Sequence, residues 1–166
     1  MKISKNILFA SAFLATAVIV FLLTNKKLMK KFSNITATGE LRGTDNYGSG
    51  AFGAPRDNGT RKHQGLDFLT VLGDKIFSPI AGKIKRFAFP YDGTTYKGIE
   101  IVNDDFKIKI FYFSPIAALI GKDVQEKQVI GKAQNIAAKY VGIKNHVHIE
   151  VRNATTGELI NPETLF

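Results

Sequence analysis

The chain of 166 residues has room for one ordinary domain plus an appendage, and its 15 glycines and 13 phenylalanines, with no tryptophan, suggest an all-β core with many turns. With no cysteine, the sequence excludes a disulfide framework and a thiolate metal site. The net charge of +9 is uneven: residues 1–34 carry six lysines and no acid, while the remainder sets 17 Lys and Arg against 14 Asp and Glu, so no basic nucleic-acid face is indicated and no nucleic-acid-binding motif accompanies the charge.

Residues 7–24 form an uncharged apolar run flanked by Lys2 and Lys5 on one side and by Lys26, Lys27, Lys30 and Lys31 on the other. As a helix this run would be about 27 Å long at ~1.5 Å per residue, close to the ~30 Å hydrocarbon thickness of a bilayer. The rival reading is a cleaved signal peptide with a small-x-small site at Ala15-Thr-Ala17. Cleavage there would leave Val18 to Leu23 as an apolar new terminus, so an uncleaved transmembrane anchor over 1–31 is the better expectation. The larger lysine cluster follows the run, which by the positive-inside rule favours a cytoplasmic domain. The chemistry read below favours the cell envelope instead, and that side is the one expected.

Residues 32–47 read as a linker, and the polar stretch 32–62 as a whole lacks the pattern of regular elements. The glycine-rich Gly48 to Arg56 is a turn sequence and not a phosphate loop, because no Gly-Lys-Ser/Thr follows. From Leu66 onward short strands are predicted at 66–71, 75–78, 82–89, 98–103, 107–113, 128–132 and 146–152, separated by turn signals such as Asp92-Gly93 and Gly121-Lys122. Residues 134–140 allow one helical turn at most. The expectation is a compact antiparallel β-sheet domain over 48–166, sandwich-like or barrel-like.

The only three histidines fall in two short segments, His63-Gln-Gly-Leu-Asp67 and His146-Val-His148. Read as strands, His63 and Asp67 share a face, as do His146 and His148. If the segments meet, two or three imidazoles and one carboxylate converge, a donor set that suits zinc better than calcium or magnesium. Three protein ligands would leave a fourth position open, as in catalytic rather than structural sites. The pattern alone leaves open which of His146 and His148 is the ligand.

Four ordered blocks resemble the lysostaphin-type zinc endopeptidases: His63 to Asp67, Gly73 to Ile84, Gly121 to Gly131 and His146 to Glu150. The wording of Lys62 to Asp67, Phe111 to Ile116 and Tyr140 to Glu150 is similar to the leukocyte cell-derived chemotaxin branch. The resemblance runs from about Gly48 to the C-terminus. It implies a small antiparallel β domain whose groove holds Zn2+ on His63, Asp67 and His148, with His146 as the catalytic base. It also implies a substrate among the peptides of peptidoglycan bridges or stems, or another glycine-containing peptide.

One departure weakens the implied activity. The enzymes carry a further histidine in a Tyr-x-His-Leu segment, and here the matching stretch is Phe111-Tyr-Phe-Ser114, with Tyr112 at that position. The chemotaxin branch shares this change and is regarded as not proteolytic. A tyrosine hydroxyl can donate to an oxyanion, but with a reference pKa of ~10 it exchanges protons poorly near neutrality. Tyr112 as a half-buried core aromatic is the plainer reading. The alternative function is therefore a catalytically silent zinc-containing binding module with the same groove. Asn46 or Asn58 could reach the metal as a plug, although both suit ordinary turns. Arg56 could bind a substrate carboxylate, although a solvated loop arginine is the simpler expectation. Glu150 and Arg152 need only cross-strand pairing.

Overall fold

The structure, a computed structural model, describes residues 32–166. The apolar run 7–24 and the rest of the expected 1–31 anchor lie outside the described residues, among which no helix is long and apolar enough to cross a membrane. The strands in chain order are β1 (Thr44–Asp45), β2 (Gly48–Ser49), β3 (Pro55–Arg56), β4 (Arg61–Lys62), β5 (Leu66–Leu69), β6 (Lys75–Phe77), β7 (Gly82–Ala88), β8 (Gly98–Val102), β9 (Phe106–Phe111), β10 (Phe113–Pro115), β11 (Asp123–Val124), β12 (Val129–Ala133), β13 (His146–Asn153) and β14 (Leu159–Ile160). Four short 3-10 turns are the only helical elements described, one of them at Ile136–Ala138 where a single turn is expected. The fold is all-β and antiparallel throughout.

The main sheet runs β11-β7-β8-β9-β13-β14, with β5 also paired to β13. Alternation along β13 sorts its side chains: Val147, Ile149 and Val151 are fully buried on one face, and His146, His148, Glu150 and Arg152 occupy the other. Register extends the buried face as rows across strands. Ile84, Ile101, Ile108 and Val151 form one row, and Phe87, Ile99, Ile110, Ile149 and Leu66 form the next. Branched residues in such rows pack well on a pleated surface, each buried one contributing about 1.5–3 kcal/mol. A second sheet, β10-β12-β6, adds the buried Phe113, Ile130 and Ile76 to the core.

Two expectations change. Residues 32–47, expected as a linker, pack into the domain: Phe32 and Ile35 are buried, Phe32 stands edge-on to Phe106 at 5.0 Å, and Phe77 N–H donates to the Ile35 carbonyl. Residues 40–50 also satisfy the outer edge of β5, through Leu69 N–H to Glu40, Arg42 N–H to Asp67 and Asp67 N–H to Gly50. The stretch was opaque because its strands are two residues long and its buried apolar groups sparse. The expected strand 107–113 is broken at Tyr112, whose φ of +69° bends β9 into β10. Tyrosine gives no sequence sign of a left-handed conformation, so its alternating neighbours concealed the break.

Candidate metal centre

Asp67 on β5 lies directly opposite His148 on β13, so their side chains emerge together on the polar face of the main sheet. His63 belongs to neither strand. It follows β4, and a bend at Gln64-Gly65 returns the imidazole over His148, with ring centroids 4.8 Å apart. The shared face of His63 and Asp67 therefore comes from a bend and not from one continuous strand. Gly65 is required there: a Cβ would run into the Ile149 carbonyl and stand 2.6 Å from the His148 ring.

His63 Nε2, Asp67 Oδ1 and His148 Nδ1 converge, with separations of 3.3, 3.0 and 2.8 Å for the pairs His63–Asp67, His63–His148 and His148–Asp67. Zinc bonds of ~2.0–2.1 Å in tetrahedral geometry place ligand atoms about 3.3 Å apart, so these buried groups form a potential metal site. Their outer contacts fit the same role. The Ala51 carbonyl can only accept, so His63 Nδ1 at 2.8 Å carries the proton and Nε2 keeps a lone pair for a metal. His148 turns Nε2 to Glu150 Oε1 at 3.4 Å, which leaves Nδ1 for the metal.

Electrostatics favour a cation in this pocket. Burial alone would raise the pKa of Asp67, but the hydrogen bond and charge of His148 hold it well below the usual carboxylate range. Burial opposes charge on His148 as well, yet Asp67 and Glu150 raise its pKa to about 9. In the metal-free protein a proton thus occupies the position that a metal would take. The other carboxylate oxygen of Asp67 accepts from Arg42 Nε at 3.0 Å, and Arg42 Nη1 donates to Asp45 at 2.6 Å. Asp45 in turn accepts the Lys144 N–H at 3.0 Å, just before β13. Arg42 and Asp45 escape sequence reading because they sit in the polar stretch taken as linker. The outer role of Glu150 also escapes, since its cross-strand partner Lys109 explains it equally well.

His146 stands beside these three. Its Nδ1–H donates to the Lys144 carbonyl at 2.7 Å, leaving Nε2 unprotonated and 3.8 Å from Asp67 Oδ2. Burial lowers its pKa, against the pull of Asp67. It is a neutral base facing the cluster. Tyr112 presents its ring edge-on to His146 at 5.5 Å, and its hydroxyl pairs with that of Tyr91 at 2.8 Å. Burial pushes both tyrosines up to about 12, so near neutrality each is a hydroxyl donor. The five tyrosines of the chain form one cluster: Tyr96, Tyr112, Tyr91, Tyr140 and Tyr47 follow one another with ring centroids 5.5–6.5 Å apart.

The three potential ligands, His146 and every tyrosine of the cluster except Tyr96 line a cleft of about 1030 Å³. Asn46, Asn58 and Arg56 line it too, but neither asparagine joins the potential ligand set, and Asn58 is a turn residue with φ of 55°. Residues 61–162 match Peptidase family M23. The chain belongs to peptidase family M23. It is similar to leukocyte cell-derived chemotaxin-2 of Mus musculus, at 31% identity over 81% of this chain and 90% of that protein. It is also similar to myeloid protein 1 of Gallus gallus, at 33% identity over 68% of this chain, and spans only 35% of that protein's length. The fold resembles the catalytic domain of the antimicrobial peptidase lysostaphin from Staphylococcus simulans, with a TM-score of 0.51 and 18% identity over 68% of this chain and 86% of that one.

Proposed function

We propose that the chain is a zinc metalloendopeptidase-like protein of the cell envelope, held at the membrane by residues 7–24, whose cleft takes peptides of peptidoglycan bridges or stems. The carrying observation is the neutral His146, with Nε2 aimed at a buried two-imidazole, one-carboxylate cluster. His63, Asp67 and His148 would hold Zn2+, which when bound polarises a scissile carbonyl and acidifies water. His146 Nε2 accepts a proton from the attacking water and can return it to the leaving amine. The Tyr112 hydroxyl, steadied by Tyr91, donates a hydrogen bond towards charge developing on the carbonyl oxygen. The walls of the cleft orient the peptide against these groups.

A second reading, the silent binding module, is favoured by one observation: the position of the enzymes' further histidine holds Tyr112, which gives up a proton poorly near neutrality. Zinc-dependent hydrolysis of oligoglycine and stem peptides by the full-length protein separates the two. The expected result is cleavage abolished in His146→Ala, with zinc stoichiometry unchanged, and slowed about 10²–10³-fold in Tyr112→Phe. Zinc bound without turnover would refute the peptidase reading in favour of the binding module.

A further inference from the structure

The loop wall of the cleft carries three arginines, and the structure partners them unequally. Arg42 holds Asp67 and Asp45. Arg61 holds Asp57 at 2.8 Å on the exposed rim. Arg56, half-buried on β3, has no carboxylate partner among the described residues. Its directly opposing residue on β4 is Arg61, another cation, and like charges in that register repel. Burial lowers the pKa of Arg56, with Arg42 and Arg61 acting in the same direction against the pull of Asp67. Holding a guanidinium here without an anion is therefore costly.

The group is nonetheless fixed in place. Nη2 donates to the Ser49 carbonyl at 2.6 Å and Nη1 to the Pro55 carbonyl at 3.1 Å. Gly48, at φ +89°, leaves it room, since a Cβ there would stand 3.2 Å from Nη1. Of the five N–H donors of a guanidinium, those on Nε and the rest of the fork have no protein acceptor among the described residues. Arg56 lines the same cleft as His146 and His148, where five cationic side chains face three carboxylates. Such a wall raises the local concentration of anions.

We propose that Arg56 is a carboxylate-binding subsite of the cleft: its free fork receives a carboxylate of the bound peptide, so the cleft selects acid-bearing peptides over neutral oligoglycine. The inference rests on the peptide-binding reading of the cleft. The carboxylate is an acidic side chain or a free C-terminus, and both offer the same two oxygens to the fork. Arg152, also in the cleft wall, is the rival cation: like Arg56 it is bonded only to neutral oxygens, the Gly157 carbonyl at 3.1 Å and the Gln64 amide oxygen at 3.5 Å, and the two variants below separate them.

The test is titration calorimetry on the full-length protein stripped of metal, so that turnover does not enter. The probes are N-acetylated oligoglycine as the C-terminal acid and as the amide, and an amidated series with Glu or Gln at each position in turn. One acid-bearing peptide is expected to bind about 10–100-fold more tightly than its neutral twin. The ratio is expected to collapse towards one in Arg56→Gln and to persist in Arg152→Gln. Because Arg56 also ties β3 to the Ser49 carbonyl, a second readout uses the unmutated protein: its Nε–H resonance should shift with the acid peptide and not with the amide. Equal binding of acid and neutral twins at every position would overturn the proposal, as would a preference that survives Arg56→Gln. Zinc-dependent hydrolysis is scored separately. Acid preference without hydrolysis keeps the Arg56 subsite and removes the peptidase reading, and hydrolysis without acid preference does the reverse.

Discussion

Arg42→Met tests whether the buried guanidinium is the brace of the metal centre. The side chain is 2% exposed and sits between carboxylates that are themselves 2% and 7% exposed, at 3.0 Å and 2.6 Å. Removing one partner of a buried ion pair costs about 3–5 kcal/mol, because the other charge is left uncompensated. The lower end applies here. Asp45 retains the N–H groups of Tyr47 and Lys144, and Asp67 retains His148. A loss of about 3 kcal/mol is thus expected for the metal-free protein. The effect on zinc distinguishes two accounts. If Arg42 acted only as a positive charge near the metal, its removal would tighten zinc binding. If it orients Asp67 by holding the other oxygen, removal weakens zinc binding about 10–100-fold. A tenfold loss of affinity takes about 1.4 kcal/mol from the stabilisation by excess zinc, so the variant should lose more stability with zinc than without. Urea denaturation of the full-length protein with and without zinc, beside a zinc competition titration, measures both. Unchanged or tighter zinc binding would refute the orienting role.

Two further outcomes follow from the same centre. The pKa of His148 is raised to about 9 from an ordinary 6.5, so the charged pair with Asp67 stabilises the metal-free fold fully below pH 6.5 and is lost as pH rises through 9. The difference is on the order of 3 kcal/mol. Urea midpoints across that window should fall in the metal-free protein and hold when zinc replaces the proton, while zinc affinity rises with pH; a flat metal-free profile would contradict the assignment. Gly65→Ala forces a Cβ against the Ile149 carbonyl and the His148 ring. It should cost about 1–3 kcal/mol and weaken zinc binding, and a variant with the parent melting temperature and zinc affinity would show that the bend tolerates a side chain.

The centre was legible in the sequence to the extent that its chemistry follows period-two geometry. His146 and His148 alternate with the buried Val147 and Ile149, and Asp67 lies in the paired strand β5, so the potential metal site could be named from spacing together with family resemblance. What surrounds that set was hidden for physical reasons. Asp45 lies in a two-residue strand and Arg42 in the irregular segment before it, so neither leaves a periodic trace. Tyr112 adopts a positive φ that no neighbouring glycine announces. Gly65 sits in a segment read as extended, whereas its role is set by the approach of a carbonyl and a ring from a strand more than eighty residues later.

The tyrosine cluster has an optical consequence. The chain contains no tryptophan, and all five of its tyrosines lie in the one cluster running from Tyr47 through Tyr112 beside the cleft. The ultraviolet emission of the whole protein, excited in the tyrosine band, therefore originates in one cluster that reaches His146 and His148 of the candidate metal site through Tyr112. A peptide entering the cleft, or a metal ion settling beside His146, would change that emission without any label attached to the protein.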